Sequence, residues 1–228
     1  MTDQPSAATA AIAAYWDAAA DRFDEEPDHG LRAAETRAAW RRRLRSWLPS
    51  APADVLDVGC GTGSLGLLMA EAGHRVTGVD LAPGMIRRAR EKFQAADRGG
   101  RFLVGDAAAP PTGAARFDVL VARHLVWTLP DPRAALVAWL GRLRPGGRLV
   151  LVEGRWREAG QAGVPYVAGA ESLPWAGGIA AAELSAVLRP SVARVSVEPL
   201  SGDPALWGGP VADERYALVA LTASAARG

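Results

Sequence analysis

The ten residues Val55-Leu-Asp-Val-Gly-Cys-Gly-Thr-Gly-Ser64 constrain this chain more than any other stretch. Val55, Leu56 and Val58 form a short apolar run of the kind a parallel sheet buries on both faces. Gly59, Gly61 and Gly63 let the backbone turn sharply and approach a ligand where a Cβ would obstruct it. Ser64 suits a helix N-cap, and Leu65, Leu67, Leu68 and Met69 supply the apolar face of the helix that follows. A helix N-terminus aimed at a cavity favours the negative end of a ligand. Downstream, Arg75-Val-Thr-Gly-Val-Asp80 reads as a second strand ending in a carboxylate, placed to accept from two ribose hydroxyls. Strand, glycine turn, helix and acid together predict a nucleoside-binding βαβ unit.

Gly61-Thr-Gly-Ser-Leu-Gly66 also satisfies the dinucleotide pattern G-x-G-x-x-G. Asp57 argues against a dinucleotide, because a pyrophosphate gains nothing from a negative charge two residues before the first glycine. A ligand carrying a cationic amino group does gain from it. A third strand, Arg101-Phe-Leu-Val-Gly-Asp106, ends in an acid suited to an adenine amino group, with the Ala107 backbone N–H beside the purine. Phe117-Asp-Val-Leu-Val-Ala122 reads as strand four. Leu143-Arg-Pro-Gly-Gly147 gives a turn, and residues 148–153 a fifth strand.

In order and spacing, Asp57-Val-Gly-Cys-Gly-Thr-Gly63, Val79-Asp80, Gly105-Asp106, Phe117-Asp118 and Leu143-Arg-Pro-Gly-Gly147 resemble the class I S-adenosylmethionine-dependent methyltransferases. The resemblance is specific over residues 53–153 and looser over the whole chain. It implies an α/β, Rossmann-like, seven-stranded and mostly parallel sheet, with helices on both faces, an antiparallel C-terminal edge strand and an N-terminal helical lid. Residues 1–50 are expected to form the lid and 51–228 the Rossmann-like domain, with 154–178 a substrate lid inserted in it. The implied cofactor is S-adenosylmethionine, with S-adenosylhomocysteine as product. Cofactor contacts are expected from Asp57, Gly59, Cys60, Gly61, Gly63, Asp80, Asp106 and Ala107. Leu81 and Met85 resemble the family residues that pack on one face of the adenine, and Tyr15-Trp-Asp17 resembles the lid segment of small-molecule methyltransferases.

Twenty-six basic and 25 acidic residues leave a net charge of +1, too little for a field that grasps nucleic acid or an anionic membrane. One cysteine, Cys60, allows no internal disulfide, and neither a signal peptide nor an apolar run long enough to span a bilayer is evident. These features predict a cytoplasmic protein; with the family resemblance, a bacterial protein with a small-molecule partner is expected, as a monomer or homodimer. Lys92 is the single lysine among the cations.

Helical spacing of Ile12, Tyr15, Trp16, Ala19 and Phe23 predicts a helix over 9–24, which Asp24-Glu-Glu-Pro-Asp-His-Gly30 breaks. A second helix over 31–48 carries Trp40, Leu44 and Trp47 on one side and a solvated face of arginines, Arg41 to Arg43, on the other. In open parallel sheets ligands sit beyond the carboxyl ends of the strands. Arg123-His-Leu-Val-Trp127, after strand four, is therefore expected to meet the substrate. His124 is the candidate proton acceptor, with stacking or hydrogen-bond donation as alternatives. Arg123 is expected on a substrate anion or on the methionine end of the cofactor. Trp16, Phe23, Trp127, Tyr166 and Trp175 are candidate substrate contacts, the last two from a loop too long for a plain connection. A planar or partly apolar acceptor follows.

No His, Cys and carboxylate cluster has metal-ligand spacing along the sequence, and methyl transfer with a neutral thioether leaving group needs no metal. The expected activity is methyl transfer to an O, N or C nucleophile. Alternatives are aminocarboxypropyl transfer or cyclisation releasing methylthioadenosine, and a non-catalytic protein that binds the cofactor.

Overall fold

The computed structural model describes residues 7–50, 52–156, 167 and 170–224. Its helices are α1 (Ala7–Ala19), α2 (Pro27–Gly30), α3 (Ala34–Trp47), α4 (Ser64–Glu71), α5 (Pro83–Ala95), α6 (Pro132–Leu140) and α7 (Ala181–Leu188). The strands are β1 (Asp54–Val58), β2 (Arg75–Asp80), β3 (Arg101–Val104), β4 (Phe117–Arg123), β5 (Leu143–Arg155), β6 (Arg194–Pro199) and β7 (Glu214–Leu221).

All seven strands join one sheet in the order β3-β2-β1-β4-β5-β7-β6. The first five run parallel, and β7 pairs antiparallel with both β5 and β6. The antiparallel C-terminal strand is thus slotted one place inside the edge, and β6 is the outermost strand. Strand alternation sorts the core into two layers. Val55, Val119, Val121, Val150 and Val152 face α3, α4 and α5 through Trp40, Leu68, Met69, Ile86 and Phe93. Leu56, Val58, Leu120, Ala122, Leu149 and Leu151 face α6 and α7 through Leu136, Trp139, Leu184 and Leu188. Strands apolar on both faces are what helices packed on both sides of a parallel sheet require.

The N-terminal 50 residues have two roles in this packing. Trp40 of α3 is completely buried, and its Nε1 donates to the Leu206 carbonyl at 2.8 Å, so α3 belongs to the core. Of the arginines expected to be solvated, Arg42 is exposed, whereas Arg41 and Arg43 are ion-paired. Arg37 and Arg41 pair with Glu71 of α4, and Arg43 pairs with Glu198 and Asp203 near β6. Residues 7–30, by contrast, lie against the ligand-side ends of the strands. There α1 stops at Ala19, earlier than the spacing predicts. Asp17 is used elsewhere, accepting from the Gly84 N–H at 2.5 Å and so supplying α5 with the cap that Ala82 lacks. The predicted breaker contains one helical turn of its own, α2.

Candidate functional site

The carboxyl ends of β1, β2 and β4 open into a cavity of about 440 Å³. Its floor is the glycine loop, and each glycine there has its own reason. Gly61, at φ +52°, lies under the Phe23 ring, where an added Cβ would come within 3.2 Å. Gly63, at φ +76°, lets α4 close on α5, with an added Cβ only 3.0 Å from that of Ala89. Gly59 sits against the Leu125 side chain.

Asp80 holds this loop from β2. Its Oδ2 accepts from the Gly61 N–H at 2.8 Å and its Oδ1 from the Ala82 N–H at 3.0 Å. Burial pushes its carboxyl above the ordinary carboxylate range, and the backbone donors partly offset this. Asp57, on β1, is only 3% exposed, and its Oδ2 has no hydrogen-bond partner among the described residues. Burial, reinforced by Asp80 and opposed by Arg123, raises its pKa to about 7. A buried carboxylate oxygen left unpaired is costly unless a donor arrives from outside. Leu81, Met85, Asp106 and Ala107 line the wall beyond β2 and β3, and the Asp106 carboxylate accepts from the Ala108 N–H at 2.8 Å.

Residues from the N-terminal segment roof the cavity. Phe23 stacks on His29 at 4.2 Å between centroids, and Trp16 meets Phe23 edge-on at 5.9 Å. A half-buried cation, Lys92, ties this roof to the floor. Lys92 Nζ reaches Asp24 Oδ2 at 2.7 Å, Thr62 Oγ1 at 2.9 Å and Ser64 Oγ at 2.5 Å, while Thr62 also donates to Asp24. Lys92→Met is expected to cost about 2 kcal/mol by leaving Asp24 without its counter-charge, with only the Thr62 hydroxyl among the described residues donating to it. It should also speed amide exchange over residues 20–30; exchange unchanged there would contradict this role for the network.

Beyond β4 lies the opposite wall. His124 takes a left-handed backbone, φ +54°, unusual for a residue with a side chain. Glu153 of β5 maintains that turn from behind, its Oε1 accepting from Leu125 N–H at 2.9 Å and Val126 N–H at 3.0 Å. The His124 ring stacks against Trp207 at 5.8 Å and meets Trp156 edge-on at 5.0 Å. Burial, with Arg123, His29 and Arg215 nearby, holds its imidazole well below the ordinary histidine pKa. Arg123 lies over the Trp40 ring and donates to the Asp28 carbonyl, and Arg215 lies over Trp207.

A methyltransferase-domain family matches residues 55–147. A demethylmenaquinone methyltransferase from Thermus thermophilus is 38% identical over 144 residues, covering 61% of this chain and 66% of that protein. A ubiquinone biosynthesis O-methyltransferase from Xanthomonas oryzae pv. oryzae is 41% identical over 108 residues, covering 46% of this chain and 44% of that protein. The chain therefore spans less than two thirds of the length of these relatives. Among solved structures, the N-methyltransferase NodS from Bradyrhizobium japonicum superposes with a TM-score of 0.65 at 20% identity, over 91% of this chain and 98% of that one, a likeness of fold.

Residues 55–147 thus match a methyltransferase domain, and the chain is similar to the class I S-adenosylmethionine-dependent methyltransferases.

The residues present fit that family's cofactor. Asp57 offers an unpaired buried carboxylate oxygen to an ammonium, and Asp80 lines the same cavity with its carboxylate anchored on the glycine loop. The cavity brings together most of the sequence-predicted positions: Trp16, Phe23, Asp57, Gly59, Cys60, Gly61, Asp80, Leu81, Met85, Asp106, Ala107, Arg123, His124 and Trp127. Others lie elsewhere. Gly63 serves helix packing. Tyr15 is 41% exposed, packs edge-on against Trp16 and is not among the lining residues. Trp175 packs on the core layer of α6 and α7, because residues 170–178 fold back to pair with the end of β5. Tyr166 lies outside the described residues.

Asp24, Asp28, His29, Trp156 and Arg215 have no place in the sequence-level site, yet all but Asp24 line the cavity. Asp28, His29 and His124 each bring a potential ligand atom within 4.8 Å of the others. Spacing along the chain hides this group, since His124 is far from the other two. Two of the chain's three histidines meeting in one cavity is a signal visible only after folding.

Proposed function

We propose that this chain transfers the methyl group of S-adenosylmethionine to an oxygen, nitrogen or carbon nucleophile of a small, planar or partly apolar acceptor. The observation that carries the reading is the unpaired buried oxygen of Asp57 beside the anchored Asp80. A dinucleotide's pyrophosphate would be repelled there, whereas a methionine ammonium supplies the missing donor. The bound cofactor would supply an electrophilic methyl carbon on a sulfonium that leaves as a neutral thioether. The chain's own residues do the rest. Asp80 accepts from the ribose, Leu81 and Met85 pack on the adenine, and Asp57 fixes the amino end. Trp16, Phe23, Trp127 and Trp156 exclude water at the acceptor end, with Arg123 and His124 between. Holding acceptor and methyl carbon in line supplies about 7–11 kcal/mol of the barrier reduction. Residues 7–30 act as a lid, and the names of the quinone-pathway relatives support a planar aromatic acceptor.

Asp57→Asn tests the carrying observation. It should weaken S-adenosylhomocysteine binding about 10-fold or more while leaving the affinity for its desamino analogue unchanged, as read by calorimetry. Equal losses for both ligands would contradict the ammonium assignment. Because the free carboxyl has a pKa of about 7, wild-type binding near neutrality should also release protons, which Asp57→Asn abolishes.

A further inference from the structure

His29 faces the acceptor end of the cavity from the α2 turn, stacked on Phe23 and within 4.8 Å of His124 by their nearest potential ligand atoms. Each ring has a buried nitrogen with no partner among the described residues, Nδ1 of His29 and Nε2 of His124. Unpaired buried nitrogens await a hydrogen-bonding group. Two guanidiniums flank the pair. Arg123 donates to the Asp28 carbonyl, and Arg215 Nη1 lies 4.0 Å from Asp28 Oδ2. A divalent cation placed among Asp28, His29 and His124 would meet both guanidiniums at close range, so a cation suits the group poorly. A hydroxyl that grows more negative as it loses its proton suits it well.

We propose that His29 joins His124 as a proton acceptor and that the acceptor molecule presents an acidic hydroxyl, phenolic or enolic, to this pair. The inference rests on the methyl-transfer reading above and names its substrate class. In the transfer, a lone pair of the hydroxyl oxygen forms the O–C bond to the methyl carbon. The C–S bond breaks with its electron pair left on sulfur, and the O–H proton passes to an imidazole lone pair and thence to water. The surroundings keep both imidazoles unprotonated near neutrality. Around His124 burial is joined by Arg123, His29 and Arg215. Around His29, burial and Arg123 outweigh Asp28, Glu26 and the Phe23 backbone carbonyl.

The test uses 4-nitrophenol, whose phenolate absorbs in the visible, and protein saturated with S-adenosylhomocysteine, in buffer acidic enough to keep the free probe protonated. The bound probe is expected to show the phenolate band, while in isotope-labelled protein the resonances of His29 and His124 both shift, together by the equivalent of the one proton that the probe gives up and the pair shares. His29→Gln and His124→Gln should each lower the bound phenolate-to-phenol ratio about 10-fold, one pKa unit. A probe bound as neutral phenol, a His29 resonance that does not move, or stoichiometric zinc uptake by the group would overturn the proposal. So would failure of the probe to bind at millimolar concentration. Calorimetry with S-adenosylhomocysteine on the same samples separates the two readings. If that ligand binds and the probe results fail, only the hydroxyl proposal falls; if it does not bind, the methyl-transfer reading falls.

Discussion

Asp80→Ala is expected to lower the affinity for S-adenosylhomocysteine by at least about 100-fold, or about 3 kcal/mol. The Asp80 carboxylate does two things at once. It accepts from the Gly61 and Ala82 N–H groups, fixing the glycine loop against the end of β2, and its remaining lone pairs face the cavity where a ribose would lie. Alanine leaves two backbone donors unpaired and removes the ribose acceptor. Asn at this position keeps one acceptor oxygen but places an amide donor against a backbone N–H, so it should recover little of the loss. Calorimetry measures both variants, and thermal melting shows whether the sheet persists. Affinity within about 3-fold of wild type in a folded Asp80→Ala protein would contradict the site assignment.

Glu153→Ala is expected to cost about 3–5 kcal/mol of stability. The side chain is completely buried in β5, and its Oε1 is the acceptor for two consecutive N–H groups of the turn after His124. Alanine leaves both donors unpaired and opens a cavity beneath a residue already at φ +54°. Glu153→Gln keeps the accepting oxygen and should be tolerated. The two glutamate variants also separate in pH. Burial raises the Glu153 pKa from 4.5 to about 8, so the folded chain holds a proton that the unfolded chain surrenders between those values. Where the folded state binds more protons, stability falls as pH rises. The contribution of this group is therefore complete below about pH 4.5 and is lost as pH climbs through about 8. Asp57 titrates in the same sense, so the readout is the difference between wild type and Glu153→Gln. Wild-type Tm should fall relative to Glu153→Gln across that range, and parallel pH profiles would show that Glu153 is ionised throughout.

The parts of the site that the sequence discloses are those written in local chemistry. An apolar run, a glycine turn and an N-cap within ten residues fix β1, the loop and α4, and acids at strand ends mark Asp80 and Asp106. The two-layer core follows from apolar runs on both faces of β1, β4 and β5. What the sequence hides are partnerships between distant residues. Asp24-Glu-Glu-Pro-Asp-His-Gly30 reads as a helix breaker, because charge and proline say only where a helix ends. Its work depends on Lys92, Arg123 and His124, which folding brings to it. The arginines of α3 read as solvated for the same reason, since Glu71, Glu198 and Asp203 are remote in the chain. Aromatic residues mislead in the other direction. Trp175 and Tyr15 have the composition of a pocket wall, yet one packs on the core and the other faces outward.

Methyl transfer from S-adenosylmethionine is tested by product analysis with mass spectrometry. The protein would be incubated with S-adenosylmethionine and a set of planar hydroxylated aromatic acceptors. The predicted result is S-adenosylhomocysteine formed in equal amount with a methylated acceptor. Methylthioadenosine in its place would mean that a different bond of the cofactor is broken. Binding of a nicotinamide dinucleotide, with none of S-adenosylmethionine, would contradict the reading of Asp57 and the glycine loop on which the account stands.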